Sequence, residues 1–118
     1  VEEESAAVVR ALRPDFHSLR TIDARGVIVT APGDDGRCDF VSRFFAPRVG
    51  VDEDPVTGSA HTALGPFWAA RLGRSELIGY QASRRGGSVG VRMHGDRVEL
   101  RGRACTVLRG ALVGAAAN

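Results

Sequence analysis

The chain has 118 residues, 43% of them apolar and 25% charged, which suits one globular domain and excludes a disordered tail. Its 16 basic and 14 acidic side chains leave a net charge of +2 spread along the whole sequence. That gives no basic patch for nucleic acid and no argument for an anionic membrane surface. No apolar run approaches the roughly 20 residues a bilayer requires, and the acidic first residues are not those of a signal peptide.

Residues 2–13, EEESAAVVRALR, have an acidic front, basic residues towards the end, and Val8, Val9 and Leu12 on one stripe. This predicts a short amphipathic helix with charges suited to its dipole, stopped by Pro14. The β-branched run GVIVTA (26–31), followed by PGDDG, predicts a strand and a turn. CDFVSRFFAP (38–47) predicts a second strand, with Phe40, Ser42 and Phe44 on one face and Val41, Arg43 and Phe45 on the other. Such a strand is buried in part on both sides.

A loop, RVGVDEDPV, leads to a helix from about Gly58, whose apolar residues Ala60, Ala63, Leu64, Phe67, Trp68 and Leu72 nearly encircle the cylinder. A helix this apolar belongs inside something. Gly73 is a natural stop, whereas Pro66 should cost a backbone hydrogen bond or kink the helix. Strand signals follow at 76–83, 88–94, 97–103 and 105–113, with a tight hairpin at HGD (94–96). The order predicts an α+β fold, a mostly antiparallel sheet curled around one central helix. We divide the chain into an N-terminal helix and linker (1–24), the domain proper (25–114) and a frayed end (115–118).

Cys38 and Cys105 lie far apart without CxxC spacing, and His17, His61 and His94 are scattered. We expect two buried or half-buried thiols in a reducing cytoplasm, with no disulfide and no metal site. The chain opens on Val1, and its single methionine is Met93. A trimmed chain, a piece of a longer one and a non-standard start codon all fit that.

The stretch EDPVTGSAH (53–61) places acids and small residues at the mouth of the apolar helix. The first turn of a helix has N–H groups without internal partners and a partial positive charge. Capping accounts for Thr57 and in part for Asp54. It does not account for Gly58 beside Ser59 and Ala60, since glycine there costs helix stability. Small residues leave the Gly58 and Ser59 amides open to an outside anion such as a substrate carboxylate. Asp54 would stand within a turn of it, its own ionisation made costlier, which favours keeping or exchanging a proton there. Both readings, capping and ligand site, stand on the residues alone. His61 can face that site or pack inside, and Arg43 can simply pair with an acid. SRRGGS (83–88) is either an anion cradle or a sharp turn with a solvated basic tip.

RFFAP (43–47), EDPVTGSAH (53–61), YQASRRGG (80–87) and DRVELRGRA (96–104), in this order and spacing, resemble the PhzF family over about Gly26 to Leu112. The resemblance implies a diaminopimelate-epimerase-like fold of two similar halves, of which only the C-terminal one is here. It implies cofactor-free proton transfer, in the phenazine enzyme on trans-2,3-dihydro-3-hydroxyanthranilate, at a cleft between the halves. Carried over, Asp54 is a proton-handling or orienting acid, and Gly58 and Ser59 bind the substrate through amides and a hydroxyl. Thr62 stands where relatives often have cysteine. The family's principal acid/base glutamate and its GHAT-type motif belong to the N-terminal half and have no counterpart in this sequence. The resemblance therefore implies little activity without that half. Its partners would be a small carboxylate and either the missing half or a second copy; the alternative is a non-catalytic metabolite-binding or self-associating domain.

Overall fold

A strand that is apolar on both faces needs cover on both sides, and the segment Phe40–Ala46 has it. In the computed structural model, which describes residues 1–114, this strand (β2) runs through a six-stranded sheet. Phe40 and Phe44 turn to one face, where Phe40 lies parallel to the Trp68 ring at 5.9 Å and Phe44 packs with Ala60. Both partners belong to the helix Gly58–Leu72. Val41 and Phe45 turn to the other face and share a core with Ala6 and Val9 of the helix Ala6–Ala11 (α1).

The remaining elements are α2 (Phe16–Arg20), β1 (Val27–Pro32), a 3-10 turn (Pro47–Val49), β3 (Val51–Glu53), α3 (Gly58–Leu72), β4 (Glu76–Gln81), β5 (Gly87–His94) and β6 (Arg97–Arg101). The strand order is β1-β2-β4-β5-β6, with β3 paired to the end of β2. Only β2 and β4 run parallel; the other pairs are antiparallel. The α+β class and the mostly antiparallel sheet packed on the apolar helix are therefore as expected. So is the hairpin, where Gly95 takes φ +58° and His94 pairs with Arg97.

Several expectations need correction. Residues 105–113 form no strand: they run on from β6 as exposed, unpaired chain. A strand needs a neighbour to take its N–H and C=O groups, and none of the described residues provides one. The first helix is shorter than residues 2–13 and has no acid in its first turn. Residues 1–3 instead lie along β1, with Thr30 N–H donating to Val1 C=O (2.9 Å) and Glu3 N–H to Thr30 C=O (2.8 Å). Glu2 is thereby placed against Arg71, and Ser5 caps the helix through the Val8 N–H. The short elements α2 and β3 had no periodic signal. Cys38 is half-buried, but Cys105 is exposed with the segment that carries it. The expected frayed end, 115–118, lies outside the described residues.

α3 is covered on one side only. Ala60, His61, Leu64, Gly65 and Trp68 are buried against the sheet, while Thr62, Ala63, Pro66, Phe67 and Ala70 are exposed. Pro66 sits within the unbroken helix on this exposed side, where water can replace the donor it lacks. Gly65 allows the close approach on the inner side, since a Cβ there would lie 2.6 Å from Val91 Cγ1. No helix among the described residues is long and apolar enough to cross a membrane.

Candidate functional site at the mouth of α3

The loop 54–57 descends from β3 and is tied to the sheet by one buried side chain. Gln81, fully buried at the end of β4, accepts the Thr57 N–H on its amide oxygen at 2.8 Å. Its Nε2 donates to the Asp54 carbonyl (2.7 Å) and to Thr57 Oγ1 (3.0 Å). Asp54 N–H donates to Phe44 C=O at 3.1 Å. Ser83 adds a clamp from the β4–β5 loop, donating its hydroxyl to Pro55 C=O (2.7 Å) while accepting the Gly86 N–H (3.0 Å).

Thr57 occupies the N-cap position without capping. Its side chain makes no bond to the first-turn amides; the hydroxyl donates to Asp54 Oδ2. The capping explanation of Thr57 thus does not hold, and among the described residues no side chain takes the N–H groups of Gly58 or Ser59. Both residues are exposed. Neither crowding nor backbone conformation requires glycine at 58: a Cβ would meet only Leu100 Cδ1, at an ordinary 3.7 Å. The loop brings Asp54 and the open amides to one end of the helix, linked through Thr57.

Two contributors, Arg25 and Gln81, gave no sign of their role in the sequence. Arg25, in the linker before β1, donates from its guanidinium to Ser59 Oγ at 2.6 Å and adds a full positive charge to the dipole end. Gln81 lay inside the YQASRRGG motif, but an amide in a strand carries no signal of its partners. A shallow groove of about 440 Å³, lined by Glu53, Pro55, Ser83, Arg84 and Arg85, adjoins the loop. Arg84 and Arg85 are exposed and Gly86 has φ +71°, so SRRGGS is a turn with a basic tip.

His61 packs inside, with no exposed surface. Its Nδ1 lies 2.8 Å from Thr57 C=O, and Nε2 has no hydrogen-bond partner among the described residues. Burial pushes its pKa below the usual histidine value, the Thr57 carbonyl opposing this in part. Arg43 is structural: it holds Glu53 through two bonds (2.8 and 2.9 Å) and donates to the Leu12 and Val9 carbonyls at the end of α1. No group of three or more His, Cys, Asp or Glu among the described residues is arranged to hold a metal ion.

The fold and this helix mouth define an α+β domain whose central helix starts uncapped, with an arginine and a carboxylate beside its positively polarised end. The profile of the PhzC-PhzF family, described as phenazine biosynthesis-like protein, matches residues 1–110, and the chain belongs to that family. An uncharacterized isomerase of Pseudomonas aeruginosa is 55% identical over 91% of this chain and 40% of its own length. One of Halalkalibacterium halodurans is 49% identical over 96% of this chain and 43% of its own length. The crystal structure of a putative phenazine biosynthesis PhzC/PhzF protein from Clostridium difficile superposes with a TM-score of 0.85 at 35% identity, over 95% of this chain and 43% of that one. The chain thus spans about two fifths of the length of these relatives.

Proposed function

We propose that this chain supplies one wall of a PhzF-like isomerase active site, which moves a proton on a small carboxylate substrate without a cofactor. The single observation that carries the reading is the uncapped start of α3. The N–H groups of Gly58 and Ser59, with the Ser59 hydroxyl and the Arg25 guanidinium, bind the substrate carboxylate. Asp54, held by Thr57 and the Gln81 amide, orients the substrate or relays its proton. Proton transfer needs an acid/base within hydrogen-bond reach of the migrating proton, and water at an open site weakens every dipole aimed at it. The isolated chain is therefore expected to bind but hardly to turn over, and the remaining part of the protein supplies the principal acid/base and closes the cleft. The substrate belongs to phenazine-type secondary metabolism or related chemistry, and we place the reaction in the cytoplasm.

The test is a titration of the ¹⁵N-labelled chain with anthranilate, a planar carboxylate of the implied class. The Gly58 and Ser59 amides should shift, and Ser59→Ala or Arg25→Ala should weaken the binding several-fold. Shifts confined to other residues, or none, would overturn the reading. The exposed apolar side of α3 favours a second reading, a self-associating domain without catalysis; a concentration-dependent dimer that binds no carboxylate would support it.

A further inference from the structure

Of the three histidines only His61 is buried, and its imidazole is bonded on one side only. Nδ1 lies 2.8 Å from Thr57 C=O, while Nε2 has no partner among the described residues. Cδ2, bonded to Nε2 in the ring, faces β4 and an aromatic ring. A Cβ at Gly79 would lie 3.1 Å from it, and the Phe40 and His61 centroids are 5.9 Å apart. A proton on Nε2 would be buried with nothing to receive it, at the cost of a lost hydrogen bond. On Nδ1 it is donated to a carbonyl. The neutral ring therefore carries its proton on Nδ1.

That carbonyl belongs to the peptide unit whose other end is the Gly58 N–H. A trans peptide is planar and its C=O and N–H point in opposite directions, so whatever holds the one aims the other. In an ordinary helix the backbone bond from four residues on does the holding. Here that bond, His61 N–H to Thr57 C=O, is 3.4 Å long, and the imidazole makes the short one. The flanking residues restrain the unit little. Thr57 is extended (φ −115°, ψ 106°) with its hydroxyl turned to Asp54, and glycine is the residue least restrained by its own backbone. The bond from Thr57 N–H to Gln81 fixes the preceding peptide unit, not this one.

We propose that His61 is a positioning residue, whose Nδ1–H holds the Thr57 carbonyl inward and so points the Gly58 N–H out of the helix mouth at a bound carboxylate. This role rests on the reading of that mouth as a carboxylate site and adds to it a residue that touches no ligand. Gln81 and His61 divide the task, each fixing one of two successive peptide units in front of the helix.

Two measurements test it. At about pH 8, above the ordinary histidine range, the ¹⁵N signals of the His61 ring should be pyrrole-like at Nδ1 and pyridine-like at Nε2. The reverse assignment would overturn the proposal without any variant. Anthranilate titrations then compare the wild type with His61→Leu and His61→Asn. Leucine fills the space without a donor, whereas asparagine places an amide N–H where Nδ1 stands. His61→Leu should bind at least about ten-fold more weakly, as the loss of one hydrogen bond to a charged group implies, and should lose the Gly58 amide shift. His61→Asn should restore both. Undiminished binding in His61→Leu, or an asparagine variant that binds as weakly as the leucine one, would overturn the proposal and leave the carboxylate site standing. Where His61→Leu does not fold, His61→Asn against the wild type decides, and a ten-fold loss there would overturn it. A wild-type chain whose Gly58 and Ser59 amides ignore anthranilate would overturn the site itself, and this role with it.

Discussion

The side-chain amide of Gln81 and Thr57 form a closed pair: Oε1 takes the Thr57 backbone N–H at 2.8 Å while Nε2 donates to the Thr57 hydroxyl at 3.0 Å. With Asp54 C=O as the third partner, one buried amide fixes the whole loop in front of α3. Replacing it with an apolar side chain strands the Thr57 N–H and the Asp54 carbonyl. Gln81→Leu is expected to cost about 2–4 kcal/mol in urea unfolding. Gln81→Glu, which keeps the acceptor and loses the donor, should also weaken anthranilate binding by displacing Asp54.

His61 predicts a dependence on pH. Its pKa is lowered in the folded state by burial, so the unfolded chain takes the proton first. Stability from this group is fully present above the unfolded value, about 6.5, and falls as pH drops through it. His61→Gln should flatten that slope between about pH 7 and 5. The exposed acids Glu2, Asp34 and Glu99, held below the usual carboxylate range by Arg71, Arg10 and Arg101, act later. Their contribution is present above about pH 4 and lost as pH falls further. His17 and His94 remain in both proteins, so the difference between the two melting curves reads His61 alone.

Arg43 joins three elements, the end of α1, β2 and β3, and its side chain is only 11% exposed. Arg43→Ala leaves Glu53 without its partner and uncovers two carbonyls. Chemical denaturation should show a loss of about 3–5 kcal/mol. Arg20→Ala, which breaks the exposed pair with Asp52, should change stability by under about 1 kcal/mol.

The same substitution should have opposite signs at two glycines of α3. Gly65→Ala drives a Cβ into Val91 Cγ1 and Met93 Cε, at 2.6 and 2.7 Å; overpacking against the buried sheet should cost about 1–3 kcal/mol. Gly58→Ala meets no obstacle and removes the entropy penalty of glycine, so it should stabilise by up to about 1 kcal/mol. If Gly58 keeps the amides open for a ligand, the stabilised variant will bind anthranilate more weakly.

Much of the fold was legible because local pattern and tertiary demand agree. Phe40 to Phe45 alternate between two apolar faces, and each face found a helix; the α3 run is a helix that stops at Gly73 as expected, although only one of its sides is covered. The failures share a cause. Residues 105–113 have every local property of a strand, but strand formation is decided by a neighbour. Glu2 looked like a helix-dipole charge, but residues 1–3 are held along β1, which turns it towards Arg71.

At the site, the acid, the glycine and the small residues at the helix mouth were readable in the sequence, since their oddity is a matter of composition. Which groups serve them was not. Arg25 reaches Ser59 across 34 positions of chain and Gln81 reaches Thr57 across 24. Thr57, a natural cap by residue type, is turned to Asp54 instead. The family, the order of most elements and the unusual start of α3 could be read before any coordinates, since all of them depend on residue type and spacing. Which hydrogen bonds are made, and which strand-like segment is left without a neighbour, follow from groups that the fold alone brings together.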